Sequence, residues 1–452
     1  MKVIIPDNVK EIMQKLLDNN FGSYIIGGFC RDILLGNDPK DIDIFTNASG
    51  EEILKLFPGG KVIGNEERQK KILTVIVDGI EVSQYRKNGD RTETGNSLTD
   101  HLHTCDLTIN SIALDIKGNF IDINDGLSDL DGRKLRFVGE PLDRITEDPL
   151  RILRIIRFEL RYDFEIDDHS FIAICENRKL LDTLPIERVR DELMLMLEYP
   201  GCIGYLSKMD IFQKMFPDFI YLKSLPGGDH HNEPVDIHSS NAFRIMCGLT
   251  ENNLLRLAAA LHDIGKGKTF SKTEDGVHFY EHEKVGAKIA EIALNNLKFS
   301  KEDVKYITEL IRLHMYGYNS DPNKRSYIKF FDKLNKANVS IEDYIMLLYA
   351  DNQANASKPK ILFGDFIKNN LLYKKYQEIT YSSEPLNVTD LKIGGKDVMA
   401  IFDISSGPVV GKLLGSMFEL VMSGELSNNR AELLNYLKET VKQAKEKIEE
   451  QR

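Results

Sequence analysis

At 452 residues the chain is long enough for about three compact units of ~150 residues each. Its 42% apolar and 29% charged residues exclude a disordered or collagen-like chain, and five scattered cysteines without a CxxC pair exclude a disulfide or zinc framework. Lys and Arg number 59 against 70 Asp and Glu, a formal charge of −11, which argues against indiscriminate nucleic-acid coating but leaves room for a local basic track.

The N-terminal apolar stretch is too short for a signal peptide, and no uncharged apolar run reaches the ~18 residues of a membrane span, so a soluble cytoplasmic protein is expected. A helical pattern over residues 9–17 precedes an apolar strand at 24–26, then Gly27-Gly28 and a helix over 30–35. A second strand reads over 41–45, and strand-like runs 72–77 and 80–83 meet at Asp78-Gly79, a hairpin turn pair. Beyond residue 145 strand signals nearly vanish, and helical periodicity runs over 148–206, 237–314 and from 341 to the end. Residues 225–229 read as a linker, 319–323 as a weaker one, and the charge-alternating 436–452 as a solvated terminal helix.

Asp41 and Asp43 stand two apart in an apolar strand, a spacing that directs both carboxylates to one face. Adjacent anions are unfavourable without a cation, and Mg²⁺ suits oxygen ligands that leave room for phosphate. Gly27-Gly28, between strand and helix, suits phosphate binding by backbone N–H groups. The run GGFCRDILLGNDPKDIDIFT resembles the first motif of polymerase-β-type nucleotidyltransferases, in the branch of bacterial class II tRNA nucleotidyltransferases (CCA-adding enzymes) and poly(A) polymerases. The resemblance implies that Asp41 and Asp43 hold Mg²⁺ and that Gly27, Gly28 and Arg31 contact a triphosphate. An RNA 3′-hydroxyl would then attack the α-phosphate and release pyrophosphate. Glu81, on the next strand run, is either a third carboxylate or a solvated strand residue. Residues 105–113 resemble a second family motif that usually opens Arg-Arg-Asp; here Thr104 and Cys105 stand in the places of the arginines. By resemblance Asp106 and Asn110 serve the nucleotide ribose and phosphate; otherwise Asp106 is a helix cap.

Glu147-Asp148-Pro149-Leu150-Arg151 opens the next helix and is similar to the family's amino-acid template. Asp148 and Arg151 share a face, and an acceptor beside a donor matches cytosine and adenine but not uracil or guanine. Read alone, the acids would simply favour a helix N-terminus. Arg151, Arg154, Arg157 and Arg161 then form a stripe suited to phosphate contacts, or to pairing with acids such as Glu159 and Asp163. Residues 187–193 resemble a later family motif, one that would support the template helix or touch substrate.

His262-Asp263 ends an apolar helix, and Asp351 follows an apolar run where a carboxylate is costly unless paired or metal-bound. His238, His262, Asp263 and Asp351 resemble the HD phosphohydrolase superfamily, with His282 and His314 at positions some HD proteins use for a second metal. A divalent transition metal is implied, with Mn, Fe, Ni, Co and Zn all suited, and hydrolysis of a phosphoester. Residues 387–430 resemble the family's C-terminal body. The expected architecture is therefore α+β. A polymerase-β-like head (residues 1–145) with a mixed sheet and helices precedes an all-α neck (146–225), HD domain (226–330) and C-terminal body (331–452). The expected substrates are the tRNA 3′ end, CTP and ATP. The short segment from 85 to 106 and the missing arginines favour CC over CCA addition. Poly(A) addition, and a phosphohydrolase with an inactive RNA-binding head, are the alternatives.

Overall fold

Val9, Ile12, Met13 and Leu16 recur at helical spacing and form the buried face of the first helix, Asp7–Asp18. The computed structural model describes residues 3–39, 41–63, 74–87, 90–227, 233–316, 324–381, 388–423 and 425–450. It divides into two units, Met1–Lys214 and Met215–Arg452.

In the first unit the strands are β1 (Tyr24–Ile26), β2 (Asp43–Thr46), β3 (Lys61–Ile63), β4 (Thr74–Val77), β5 (Ile80–Gln84), β6 (Arg86–Lys87), β7 (Asp90–Thr94), β8 (Ala113–Leu114) and β9 (Phe120–Ile121). A seven-stranded mixed sheet has the order β3-β4-β5-β2-β1-β8-β9, with β2 and β5 parallel and β1 antiparallel to both β2 and β8. Ile25, Ile44, Val75 and Val82 are fully buried in it, each such side chain contributing roughly 1.5–3 kcal/mol. The expected hairpin forms, with positive φ at both Asp78 (49°) and Gly79 (84°), as a two-residue turn between twisted strands requires. Residues 72 and 73 of that run lie outside the described residues, as do 228–229 of the expected linker, all of 319–323, Asn387, and residues 451–452 of the terminal helix.

Strand β2 opens at Asp43, so Asp41 stands in the preceding loop and not on the strand. The helix after β1 spans Gly28–Leu34, and Gly27 before it has φ 91°, a backbone conformation that side chains disfavour. Helix Arg151–Tyr162 buries Ile152, Leu153, Ile155, Ile156 and Phe158 and ends at Asp163 in the left-handed conformation. A two-residue parallel ladder, β10 (Lys134–Leu135) with β11 (Glu165–Ile166), runs beside it.

The second unit is built on helices Val235–Cys247, Asn253–Leu261, His282–Asn296, Lys301–Leu313 and Ile341–Ala354. Asn252, Ser300 and Ser340 cap three of them by accepting backbone N–H bonds. Ala258, Ala259 and Ala260 are fully buried, small side chains that let neighbouring helices approach closely. The expected helical run over 237–314 is interrupted by a hairpin, β12 (Phe270–Thr273) and β13 (Gly276–Phe279), whose turn at Glu274-Asp275-Gly276 is a local signal that the helical periodicity obscured. The turn Pro217–Leu222, expected within the neck, belongs to this unit, where Asp218 pairs with Lys268 at 3.1 Å. No described helix is long and apolar enough to cross a membrane.

Candidate nucleotide site and candidate metal centre

In the first unit a cavity of about 250 Å³ opens at the junction of β1 with its following helix. Gly27, Gly28, Asp43, Asp106, Asn110, Asp148, Arg151 and Arg154, all singled out from the sequence, line it together. Arg86, His101, Thr104, Cys105 and Arg188 also line it. Of these, Arg86 and His101 carried no local motif, and Arg188 was legible only as part of a supporting segment.

Asp43 is half-buried, and its carboxyl is pushed up to about 6 by burial and then by the neighbouring Glu81 and Asp41 carboxylates. Glu81 is the register partner of Asp43 across the parallel β2–β5 pair. Carboxylates are the donor chemistry of a hard divalent cation that keeps open positions for phosphate, but only Asp43 of the three lines the cavity, and they do not form one of the close donor groups found among the described residues.

Asp106 is a hub. One oxygen takes two N–H bonds from Arg154, at 2.8 and 2.6 Å, and the other accepts from Asn110 Nδ2 at 2.9 Å and from the Leu107 backbone at 2.8 Å. Burial is the largest influence and would raise its pKa, but the Arg154 guanidinium together with the Asn110 and Leu107 hydrogen bonds outweighs it and holds the carboxyl down at about 2. Asp106 is thus neither a helix cap nor a solvated acid.

Arg31 is placed differently from the triphosphate contact expected of it. It is buried, donates to Asn110 Oδ1 at 2.6 Å and Asp32 Oδ1 at 2.9 Å, and lies against the rings of Phe158 and Tyr162 without lining the cavity. The arginine stripe is also turned to internal use. Arg151 pairs with Glu147 at 2.7 Å and donates to the Thr104 carbonyl at 3.3 Å. Arg157 pairs with buried Glu192 at 2.5 Å and does not line the cavity. Arg161 faces Asp32 at 3.8 Å. None of these partners is the Glu159 or Asp163 named from the sequence. Asp148 is held by Arg188 at 2.8 Å, so residues 187–193 do reach the template segment.

In the second unit, six of the expected metal ligands converge. Among the described residues two groups of three donors lie within 4.8 Å of one another, His238–His262–Asp351 and Asp263–His282–His314. Asp263 joins them: its Oδ2 is 3.3 Å from His262 Nε2 and 3.8 Å from His238 Nε2, and its Oδ1 is 3.3 Å from His282 Nε2 and 3.8 Å from His314 Nε2. The His262, His282 and His314 Nδ1 atoms donate to the carbonyls of Ala259, Phe279 and Ile311 at 2.8, 2.9 and 2.7 Å. Since a carbonyl only accepts, each Nδ1 carries a proton and each Nε2 faces inward, as metal-ligating imidazoles are arranged. Two Nε2 atoms, of His282 and His314, stand only 3.2 Å apart, a contact suited to a shared cation.

Gly265 makes this convergence possible: a Cβ there would lie 2.1 Å from the His282 carbonyl. Sequence reasoning missed Glu233, whose Oε1 sits 3.3 Å from His238 Nδ1, and gave no role to Lys266, which pairs with Asp263 at 2.7 Å. Burial would depress the His262 pKa, yet Asp263 and Asp351 push it up to about 10. Burial together with His262 and His282 pushes His314 down to about 3. So crowded a buried set of charges fits divalent ions.

Comparison with known proteins follows the same division. The poly A polymerase head domain family matches residues 23–136, the probable RNA and SrmB-binding site of polymerase A matches 163–222, and the HD domain matches 235–346. A CCA-adding enzyme of Lactococcus lactis subsp. lactis (strain IL1403) is 28% identical, covering 95% of this chain and 96% of its own. The structure of the Bacillus stearothermophilus CCA-adding enzyme in complex with CTP superposes with a TM-score of 0.63 at 21% identity, covering 98% of this chain and 100% of its own. A Thermotoga maritima CCA-adding enzyme complexed with tRNA gives 0.57 at 17% identity, covering 97% and 96%. A polymerase head and an HD domain both imply divalent metals.

Proposed function

On the premise that the chain belongs to the CCA-adding tRNA nucleotidyltransferase and poly(A) polymerase family with an HD domain, we propose that it adds C and A to the 3′ end of tRNA from CTP and ATP, without a nucleic-acid template. The observation that carries this reading is the cavity in which Asp43, Gly27-Gly28, Asp106 and Asp148 meet. The RNA 3′-oxygen forms a bond to the α-phosphorus, the bond from that phosphorus to pyrophosphate breaks, and the hydroxyl proton is lost.

Asp41 and Asp43 would hold Mg²⁺, which when bound neutralises charge on the attacking and leaving oxygens. Gly28 offers its backbone N–H to phosphate, while Gly27, whose own N–H meets the Ile112 carbonyl at 3.4 Å, lets the backbone pass close to it. The Asp106–Asn110 pair, clamped by Arg154, orients the ribose. Asp148 offers an acceptor to the exocyclic amine of cytosine or adenine and Arg151 a donor to the unprotonated ring nitrogen; Arg188 holds Asp148 in place. Arg31 and Arg157 support this arrangement from beneath.

In the HD domain, His238, His262, Asp263 and Asp351, with His282 and His314, would hold divalent transition metal, which supplies Lewis-acid polarisation of a phosphoester. The substrates proposed are nucleotide phosphomonoesters and cyclic phosphodiesters. Cytoplasmic action suits five cysteines scattered without a CxxC pair. The domain limits proposed are 1–145, 146–225, 226–330 and 331–452, with residues 215–225 of the second segment packed in the second unit.

A tRNA lacking its terminal CCA, incubated with the full chain and CTP, ATP, UTP or GTP singly and in pairs, tests the main reading. CCA addition supports it, and failure to incorporate any nucleotide rejects it. A product ending at CC would favour the second reading, which rests on the short segment from 85 to 106 and on Thr104 and Cys105; long A-tails would make the chain a poly(A) polymerase.

A further inference from the structure

The family's second motif, as matched here, lacks its two arginines, and the cavity shows what stands in their region. Thr104 and Cys105 line it, and neither carries charge; burial and the adjacent Asp106 push the Cys105 thiol up to about 12. Arg86 lines the same cavity from the strand edge that follows β5. Its backbone is tightly fixed. The Arg86 N–H donates to His101 Nδ1 at 3.2 Å, the residue pairs with Thr94 across β6–β7, and a Cβ on Gly95 would come within 2.4 Å of the Arg86 carbonyl. His101 beneath it is buried and uncharged, its pKa pushed down to about 3 by burial and by Arg86 itself. Arg86 and Asp43 line the cavity together, and the Arg86 charge slightly favours the ionised Asp43 carboxylate. The cavity's other arginines come from the neck and meet Glu147, Asp106 and Asp148.

We infer that Arg86 is a triphosphate-binding residue, its guanidinium bonding non-bridging phosphate oxygens of the incoming nucleotide in the role that Thr104 and Cys105 do not fill. A planar fork of N–H donors suits phosphate oxygens better than a point charge. The inference rests on reading the cavity as the nucleotide site.

The test compares the binding of CTP and CMP to the full chain, with Mg²⁺ and without tRNA, by calorimetry. Wild type should prefer CTP. Arg86→Ala should weaken CTP about 10–100-fold while leaving CMP nearly unchanged, so that the preference collapses. Arg86→Lys should recover part of it, and Cys105→Arg on the Arg86→Ala background should restore it further. Arg86→Gln, which keeps the stem, gives the same readout if Arg86→Ala lowers the melting temperature. Equal weakening of CTP and CMP would assign Arg86 a purely structural role and overturn the inference, as would an unchanged preference. If wild type binds neither nucleotide, the reading of the cavity itself fails, and the inference with it.

Discussion

Asp43 sits beside Asp41 and Glu81, and its carboxyl is raised from the ordinary 3.8 to about 6 by burial and by those two neighbours. The folded chain therefore holds this proton more tightly than the unfolded chain. Its stabilising contribution is complete below about 3.8 and is lost as pH rises through 6. At neutral pH, without a divalent cation, the ionised group opposes folding. Asp43→Asn should thus raise the melting temperature in chelator at pH 7.5, with the difference shrinking toward pH 4, while nucleotide incorporation falls by at least about 10³-fold. A lower melting temperature at pH 7.5 would contradict this. Arg188 offers a second test at this scale. Arg188→Ala removes the partner of Asp148, and incorporation of U or G relative to C should rise about tenfold; unchanged selectivity in a single-nucleotide assay would remove Arg188 from base reading.

Helix Arg151–Tyr162 shows how an element can carry one pattern and two uses. Its apolar face is buried as the periodicity dictates, whereas its arginines bind acids of other segments. Removing Arg157 leaves Glu192 buried and unpaired at about 5% exposure, a loss of roughly 3–5 kcal/mol. Arg157→Ala should lower the melting temperature strongly while the remaining folded protein binds CTP nearly as wild type. A stable variant with weakened CTP binding would restore Arg157 as a ligand contact. The same helix marks what the sequence makes legible. Apolar spacing and short motifs are local, so strand β1, the 78–79 turn and the residues that gather in the two donor groups stand out in the sequence. Ion-pair partners are not local: Asp106 meets Arg154 from 48 residues away, and Asp148 meets Arg188 from 40. Arg31 illustrates the limit: its motif position suggested a phosphate, and the burial of its side chain among Asp32, Asn110 and two rings was not legible locally. Asp41 illustrates another, because strand propensity does not say that β2 starts two residues later.

Across the whole chain, a charge of −11 weakens nonspecific attraction to RNA, and the arginine stripe is spent on internal acids, which suits release of a finished product. The candidate chemistries also reside in different units, with Asp43 in Met1–Lys214 and the HD ligands in Met215–Arg452. His262→Ala/Asp263→Ala should abolish bound transition metal and any phosphoesterase activity, while tRNA extension stays within about twofold of wild type. Loss of extension in a variant that still folds would show that the two sites do not act independently.

If Asp41 and Asp43 hold the metal at the reacting phosphate, template-free addition of C and A to tRNA depends on both carboxylates. The most direct test is extension of a tRNA lacking CCA by the purified full chain, beside Asp41→Ala/Asp43→Ala. Wild type should incorporate C from CTP and then A when ATP is present, with little U or G, and the double variant should incorporate nothing while keeping its phosphoesterase activity. No incorporation by wild type, or incorporation that survives loss of both carboxylates, would contradict the account.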